Sequence, residues 1–128
     1  MGGVLWVNDS KSTNVTSTEV AIGALDRPFV LLLGGRHKGE PYSRLIPLLR
    51  ERCRGVIAYG ESRPIIEADL AGQVPVQPAH SFADVITSAR LLARPGDAVL
   101  LSPACSSYDM FDNYEQRGET FRRAVEAM

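Results

Sequence analysis

The chain has 128 residues, of which 45% are hydrophobic and 23% charged, values that are ordinary for a single globular domain. Its formal net charge of -1 provides no electrostatic attraction for nucleic acid or for an anionic membrane surface. No apolar run approaches the roughly 20 residues that span a bilayer, so we predict neither a nucleic-acid partner nor membrane insertion.

Five short apolar runs, taken in chain order, predict the strands of a sheet. They lie at residues 4–7, 29–33, 56–59, 74–76 and 98–101. The fourth run is weak, because Pro75 favours an edge position or the start of a strand. Continuous apolar runs, as opposed to strict alternation, predict strands that are buried on both faces of a parallel sheet.

Helix signals separate these runs. Predicted helix starts are Thr16 (with Glu19 at capping-box spacing), Ser43, Ser62, Ser81 and a position near Glu119. Pro47 is compatible with its helix only in the first turn. Strands that alternate with helices predict one α/β domain over residues 1–128, with three layers: a mostly parallel sheet and helices on both faces, as in Rossmann-like folds.

Polar loops follow the first, second and fifth apolar runs, at residues 8–14, 34–39 and 102–107. In parallel α/β sheets, ligands bind beyond the carboxyl ends of the strands. The first two loops carry the only lysines of the chain, Lys11 and Lys38. Three loops rich in hydrogen-bond donors at one edge are suited to surround an anion.

Each loop, taken alone, has a second interpretation. Gly34 and Gly35 allow close approach to a ligand, but they also suit a simple turn. Asp9 is suited either to accept hydrogen bonds from the hydroxyls of a ribose or to cap a turn. Lys11 is compatible with a ligand contact or with an exposed ion pair to Asp9.

Several other chemistries lack their sequence signatures. The GxxxxGK[ST], GxGxxG and GxSxG patterns are absent, and no spacing places a histidine beside Ser106 or Ser107 as a base. The acidic residues do not cluster as metal ligands, so we predict no metal site within this chain. Cys53 and Cys105 show no zinc-site spacing, and the amino terminus has no signal-peptide pattern, which together predict a cytoplasmic location.

Four segments taken together resemble a known family. They are residues 8–14, residues 32–39, residues 101–111 and the Tyr-Glu-Gln-Arg-Gly-Glu-Thr-Phe segment at 114–121. In this order they resemble the carboxy-terminal domain of the Mur ligases, and more narrowly its D-glutamate-adding members. The Asp-Asn-Pro-Arg element expected of the diaminopimelate-adding relatives does not occur. The resemblance covers essentially the whole chain.

The resemblance implies a part of an ATP-dependent ligase of peptidoglycan synthesis. Such an enzyme joins D-glutamate to UDP-N-acetylmuramoyl-L-alanine in two steps. ATP first phosphorylates the substrate carboxylate, and the D-glutamate amine then displaces phosphate from the acyl phosphate. Negative charge moves in both steps, and hydrogen-bond donors must stabilise it. By resemblance, Asp9 contacts the ATP ribose, and Lys11 is the catalytic residue that reaches the transferred phosphate.

The resemblance also implies an amino-acid site in this chain. Thr13 and Lys38 are expected to bind the side-chain carboxylate of D-glutamate. Ser107, with backbone groups around Tyr108 and Tyr114, is expected to bind the α-carboxylate. A dicarboxylate needs donors at two separated points, and these loops offer both.

The chain departs from the family pattern at Ser12 and at the Arg36-His37 pair before Lys38. The domains that by resemblance carry the P-loop, most of the Mg²⁺ ligands and the UDP-sugar site are not expected in this sequence. We therefore expect the isolated chain to be inactive. The alternative interpretation is a stand-alone, non-catalytic α/β module that binds a nucleotide or an acid.

Overall fold

The computed structural model describes residues 2–128 and contains one parallel sheet. Its strands are β1 (Leu5–Asn8), β2 (Phe29–Gly34), β3 (Cys53–Tyr59), β4 (Val76–Pro78) and β5 (Ala98–Leu101). The order across the sheet is β1-β5-β2-β3-β4, and every pairing is parallel. Strands β2 and β5 are buried along their whole length, as continuous apolar runs predict.

Helices cover both faces of the sheet. On one face lie α1 (Val15–Gly23), α2 (Ile46–Arg52) and α3 (Arg63–Leu70); on the other lie α4 (Phe82–Leu92) and α5 (Tyr114–Glu126). Alternate side chains of β2 show this division, because Leu31 and Leu33 pack with the first group and Leu32 with the second. The predicted α/β class with three layers is confirmed. Within residues 2–128, no helix is long and apolar enough to cross a membrane.

Two predicted helix starts on the first face are wrong. The cap of α1 is Asn14, whose Oδ1 accepts the Ser17 N–H at 2.8 Å, so Thr16 lies inside the helix. Asparagine is at least as good a cap as threonine, and here it comes first along the chain. Ser43 lies within a 3-10 turn (Tyr42–Leu45), and α2 begins at Ile46 with Pro47 in its first turn, where proline is tolerated.

The start of the last helix was also predicted wrongly. Helix α5 begins at Tyr114, well before Glu119, and Asn113 caps it by accepting the Gln116 N–H at 2.8 Å. The polar first turn hid this start from a search for apolar periodicity. By contrast, Ser81 caps α4 as predicted, since its hydroxyl accepts the Asp84 N–H at 3.1 Å.

Candidate functional site

Three loops meet at the carboxyl ends of β1, β2 and β5. We call residues 9–14 the β1 loop, residues 35–41 the glycine loop and residues 102–113 the β5 loop. The Arg36 N–H donates to the Ser106 carbonyl at 3.0 Å, and the Ala104 N–H donates to the Ser12 carbonyl at 3.0 Å. The β5 loop is therefore bonded through its backbone to both of the other loops.

The two glycines at the end of β2 allow this close approach. A Cβ on Gly35 would lie 2.2 Å from the Ser106 carbonyl oxygen, and a Cβ on Gly34 would lie 2.2 Å from the Tyr59 carbonyl oxygen. Gly35 also has a φ of +133°, a value that side chains disfavour. In the structure, both glycines make room for neighbouring backbone.

Arg117 connects the β1 loop to the β5 loop, a role that the sequence analysis did not predict. Its guanidinium is 0% exposed and donates to the Ser10 hydroxyl at 2.9 Å, the Ser10 carbonyl at 2.6 Å and the Cys105 carbonyl at 3.0 Å. Burial lowers the pKa of Arg117, although an arginine keeps its charge in proteins. The available signal was its helical spacing from Phe121, which places an arginine on the inward face of α5.

Asp9 is held in place by two serines. Its Oδ2 accepts hydrogen bonds from the Ser12 hydroxyl and, at 2.9 Å, from the Ser102 hydroxyl. Within residues 2–128, Oδ1 has no hydrogen-bond partner. Asp9 therefore has a structural role, and its second carboxylate oxygen is available as an acceptor.

Lys11 is exposed, and no carboxylate of residues 2–128 lies within ion-pair distance of it. The alternative of an ion pair with Asp9 is therefore wrong for this structure. Lys11 borders two depressions. One, of about 770 Å³, contains Asp9 and a largely apolar wall from β1 and α1; the other, of about 330 Å³, lies against the start of α5.

A separate pocket of about 200 Å³ collects the residues expected to bind the amino acid. It is lined by Thr13, Lys38, Ser106, Ser107, Tyr108 and Tyr114. All five predicted amino-acid ligands are among them. Ser106 is added by the structure, because its backbone pairing with Arg36 places it beside Lys38 in a way that chain order does not reveal.

The polar side chains of this pocket have no partners within the described chain. Across residues 2–128, none of the six lining side chains makes a hydrogen bond or an ion pair. Ser107 is only 2% exposed, and a buried hydroxyl normally has a partner. One ammonium and several hydroxyl donors therefore converge on a small cavity, which is an arrangement suited to an anion.

The surroundings of Cys105 do not suit a nucleophile. Its side chain is fully buried, and its thiol lies 2.9 Å from the Tyr42 hydroxyl. Burial raises the pKa of the Cys105 thiol, so the thiol stays protonated and a poor nucleophile at neutral pH. Within residues 2–128, three or more histidine, cysteine or acidic side chains do not gather in one place as metal ligands.

Comparison with known proteins identifies similar sequences along nearly the whole chain. The family model described as "Mur ligase, glutamate ligase domain" matches residues 1–105. A UDP-N-acetylmuramoylalanine–D-glutamate ligase of Salinibacter ruber is 52% identical over 98% of this chain. Proteins of the same name from Nitratidesulfovibrio vulgaris and Chlamydia caviae are 49% and 40% identical over 98% and 96% of this chain.

The relatives are longer than this chain. The matched region spans 27% of the Salinibacter ruber protein and 29% of each of the other two. The similarity therefore concerns a little over a quarter of each relative, and this quarter contains all three loops of the site.

Proposed function

This chain belongs to the Mur ligase family, as its glutamate ligase domain, and on this basis we propose that it holds D-glutamate for an ATP-dependent ligase. In this proposal, the ligase adds D-glutamate to UDP-N-acetylmuramoyl-L-alanine. The observation that carries the proposal is the small pocket in which six side chains, all without partners in residues 2–128, converge. Two carboxylates of one ligand would satisfy these donors.

The two ends of D-glutamate are assigned to opposite sides of the pocket. Lys38 and Thr13 bind the side-chain carboxylate, as an ammonium and a hydroxyl donor. Ser107, with backbone groups around Tyr108 and Tyr114, binds the α-carboxylate. Because Ser107 is buried, its hydrogen bond to an anion forms with little competition from water and is correspondingly strong.

The nucleotide is assigned to the neighbouring depression. Asp9 and Lys11 both border it, and the free Oδ1 of Asp9 fits the hydroxyl donors of a ribose. The exposed ammonium of Lys11, with no carboxylate beside it within residues 2–128, fits a phosphate. By the family resemblance, the residues that hold the Mg²⁺ of the reaction lie mostly in the other domains of the ligase, and we assign no residue of this chain to it.

The arrangement has a direct chemical use. ATP supplies the phosphate that turns the acceptor carboxylate into an acyl phosphate. Donors around both carboxylates of D-glutamate leave its amine as the free, reactive end. The amine nitrogen attacks the acyl carbon, the bond from this carbon to the phosphate oxygen breaks, and the nitrogen loses one proton, which balances as inorganic hydrogen phosphate, while Lys11 stabilises negative charge on the phosphate. Fixing the amine in this way replaces a random encounter with an oriented one.

Steady-state kinetics of the ligase that carries this domain test the proposal. Lys38→Ala should raise the KM for D-glutamate about 10- to 100-fold, since a hydrogen bond to a charged group contributes about 1.5–3 kcal/mol. The KM for ATP should not change. Lys11→Ala should instead lower kcat, because its charge acts on the phosphate.

The matched control is Arg122→Ala, which removes a positive charge from the exposed surface of α5 and should leave both constants unchanged. An unchanged KM for D-glutamate in both Lys38→Ala and Ser107→Ala would refute the amino-acid site. An unchanged kcat in Lys11→Ala would refute the phosphate role.

A further inference from the structure

A line of hydrogen bonds runs from the glycine loop to the β5 loop. The His37 Nδ1 lies 2.9 Å from the Tyr42 hydroxyl, and this hydroxyl lies 2.9 Å from the Cys105 Sγ. The Cys105 Sγ in turn lies 3.6 Å from the Ser62 hydroxyl at the start of α3. Tyr42, Cys105 and Ser62 are all buried, so the line lies in the interior.

The Tyr42 hydroxyl suits this central position. Burial raises the pKa of Tyr42 and of Cys105, so both groups keep their protons at neutral pH. A phenol can donate one hydrogen bond and accept another, so the Tyr42 hydroxyl can bond to His37 and to Cys105 at the same time. Because a buried hydroxyl without partners is costly, Tyr42 favours the loop conformation that keeps His37 in contact.

Lys38 lies between two fixed points of the glycine loop. On one side, the His37 ring is bonded to Tyr42 and packs against it, with ring centroids 5.3 Å apart. On the other side, the Glu40 carboxylate accepts the Val15 N–H at the first residue of α1, at 3.2 Å. The Lys38 side chain itself is exposed and faces the pocket. The neighbouring residues thus fix the backbone, and the ammonium stays free.

We propose that Tyr42 is a positioning residue that sets the distance between the two carboxylate sites of the pocket. It does so by holding the loop of Lys38, through His37, against the loop of Ser107, through Cys105. This inference rests on the proposed function. It adds that the distance between the two carboxylate sites depends on the Tyr42 hydroxyl, which does not contact the substrate. This distance in turn sets the preference for D-glutamate over the shorter D-aspartate.

The test is Tyr42→Phe in the ligase that carries this domain, which removes the hydroxyl and keeps the ring. The KM for D-glutamate should rise about 3- to 10-fold, the effect of one neutral hydrogen bond, with the KM for ATP unchanged. The ratio of kcat/KM for D-glutamate to that for D-aspartate should fall by a similar factor, because a loosened loop discriminates less between lengths.

Two variants of His37 provide the matched pair. His37→Ala removes the contact and should reproduce the effect of Tyr42→Phe. His37→Asn places an amide near the former Nδ1 and should stay within about twofold of the natural protein. The double variant His37→Ala with Tyr42→Phe should be no worse than Tyr42→Phe alone, since Tyr42→Phe already removes the His37–Tyr42 bond.

The outcomes separate this inference from the proposed function. If Lys38→Ala and Ser107→Ala raise the KM for D-glutamate while His37→Ala and Tyr42→Phe do not, Tyr42 has no positioning role and the amino-acid site stands. If none of the four changes it, the site itself is wrong. An unchanged D-glutamate to D-aspartate ratio, or an equal rise in the KM for ATP, would show a merely structural role and overturn the inference. If Tyr42→Phe does not fold, the KM values and the D-glutamate to D-aspartate ratio of His37→Ala test the inference by the same criteria, because His37 is only half-buried.

Discussion

The backbone at Gly35 lies so close to Ser106 that a side chain does not fit between them. Gly35→Ala would place a Cβ 2.2 Å from the Ser106 carbonyl oxygen, at a φ of +133°. We expect it to lower the free energy of unfolding by about 2–4 kcal/mol, from backbone strain together with loss of the Arg36–Ser106 hydrogen bond. Urea denaturation followed by circular dichroism measures this change.

Gly39→Ala is the matched control for Gly35→Ala. Gly39 also has a positive φ, of +91°, but a Cβ there meets no atom within 4 Å. Its cost should be the backbone strain alone, about 1–2 kcal/mol. Equal losses in the two variants would mean that the β5 loop moves away freely and that Gly35 is not required for the contact.

Single residues were predictable where position along the chain fixes position in space. Asp9 and Thr13 lie in the short loop that follows β1, so their place at the carboxyl end of the sheet could be read from the sequence. The pairing of Ser106 with Arg36 and the inward position of Arg117 could not be assigned in this way. They depend on a contact between distant segments and on a helix start hidden by polar residues. The burial of Cys105 likewise could not be read from the sequence, because it depends on contacts with Tyr42 and other distant residues.

Helix α1 begins directly after the residues that line the site, so its cap affects both stability and loop position. Asn14→Ala should lower the free energy of unfolding by about 1 kcal/mol, because the Ser17 N–H loses its acceptor. Thr16→Ala should change it by no more than about 0.5 kcal/mol, since Thr16 is exposed and lies inside the helix. Thermal or urea unfolding of the two variants compares them, and the reverse ranking would restore Thr16 as the cap.

Elements were predictable to the extent that apolar periodicity marks them. The runs at 29–33 and 98–101 became β2 and β5 almost unchanged. Helix α4 has an apolar stripe and a serine cap, and it was also predicted correctly. Helix α5 was not, because its first turn is polar and its inward face includes Arg117, a residue that periodicity counts as exposed.

At the scale of the whole molecule, the order of the strands creates the site. Strands β1, β5 and β2 are neighbours in the sheet although β5 comes last along the chain. Their loops therefore meet, and the β5 loop lies between the two loops that carry Lys11 and Lys38. A parallel sheet was predictable from the apolar runs, but this order was not, since the runs carry no information about which strand pairs with which.

At the end of the sheet opposite the three loops, the buried carboxylate of Asp97 links neighbouring segments of the chain. It accepts hydrogen bonds from Arg54 at 3.0 and 3.2 Å and from the Arg94 N–H at 2.9 Å, while its carbonyl accepts the Leu5 N–H at 3.0 Å. Burial raises the pKa of Asp97, but the hydrogen bonds from Arg54 and Arg94 outweigh it and hold the pKa below the ordinary value of 3.8.

This lowered pKa predicts a defined pH dependence of stability. Because the folded pKa lies below the unfolded one, the charged form stabilises the fold above about pH 4, and this contribution disappears as the pH falls through the folded pKa. Asp97→Asn should therefore lower the free energy of unfolding by about 1–3 kcal/mol at pH 7 and by clearly less below pH 3. Urea unfolding at a series of pH values measures the difference between the two proteins.

Asp26→Asn is the control for this experiment. Asp26 pairs with Arg27 at 3.0 Å, but its side chain is 82% exposed, and exposed pairs contribute little, so its stability curve should follow that of the natural protein. A loss in Asp97→Asn that stays constant from pH 7 to pH 3 would show that packing, and not the carboxylate charge, stabilises this edge. Since Asp97 lies at the end of the sheet opposite the pocket, the KM for D-glutamate should not change in either variant.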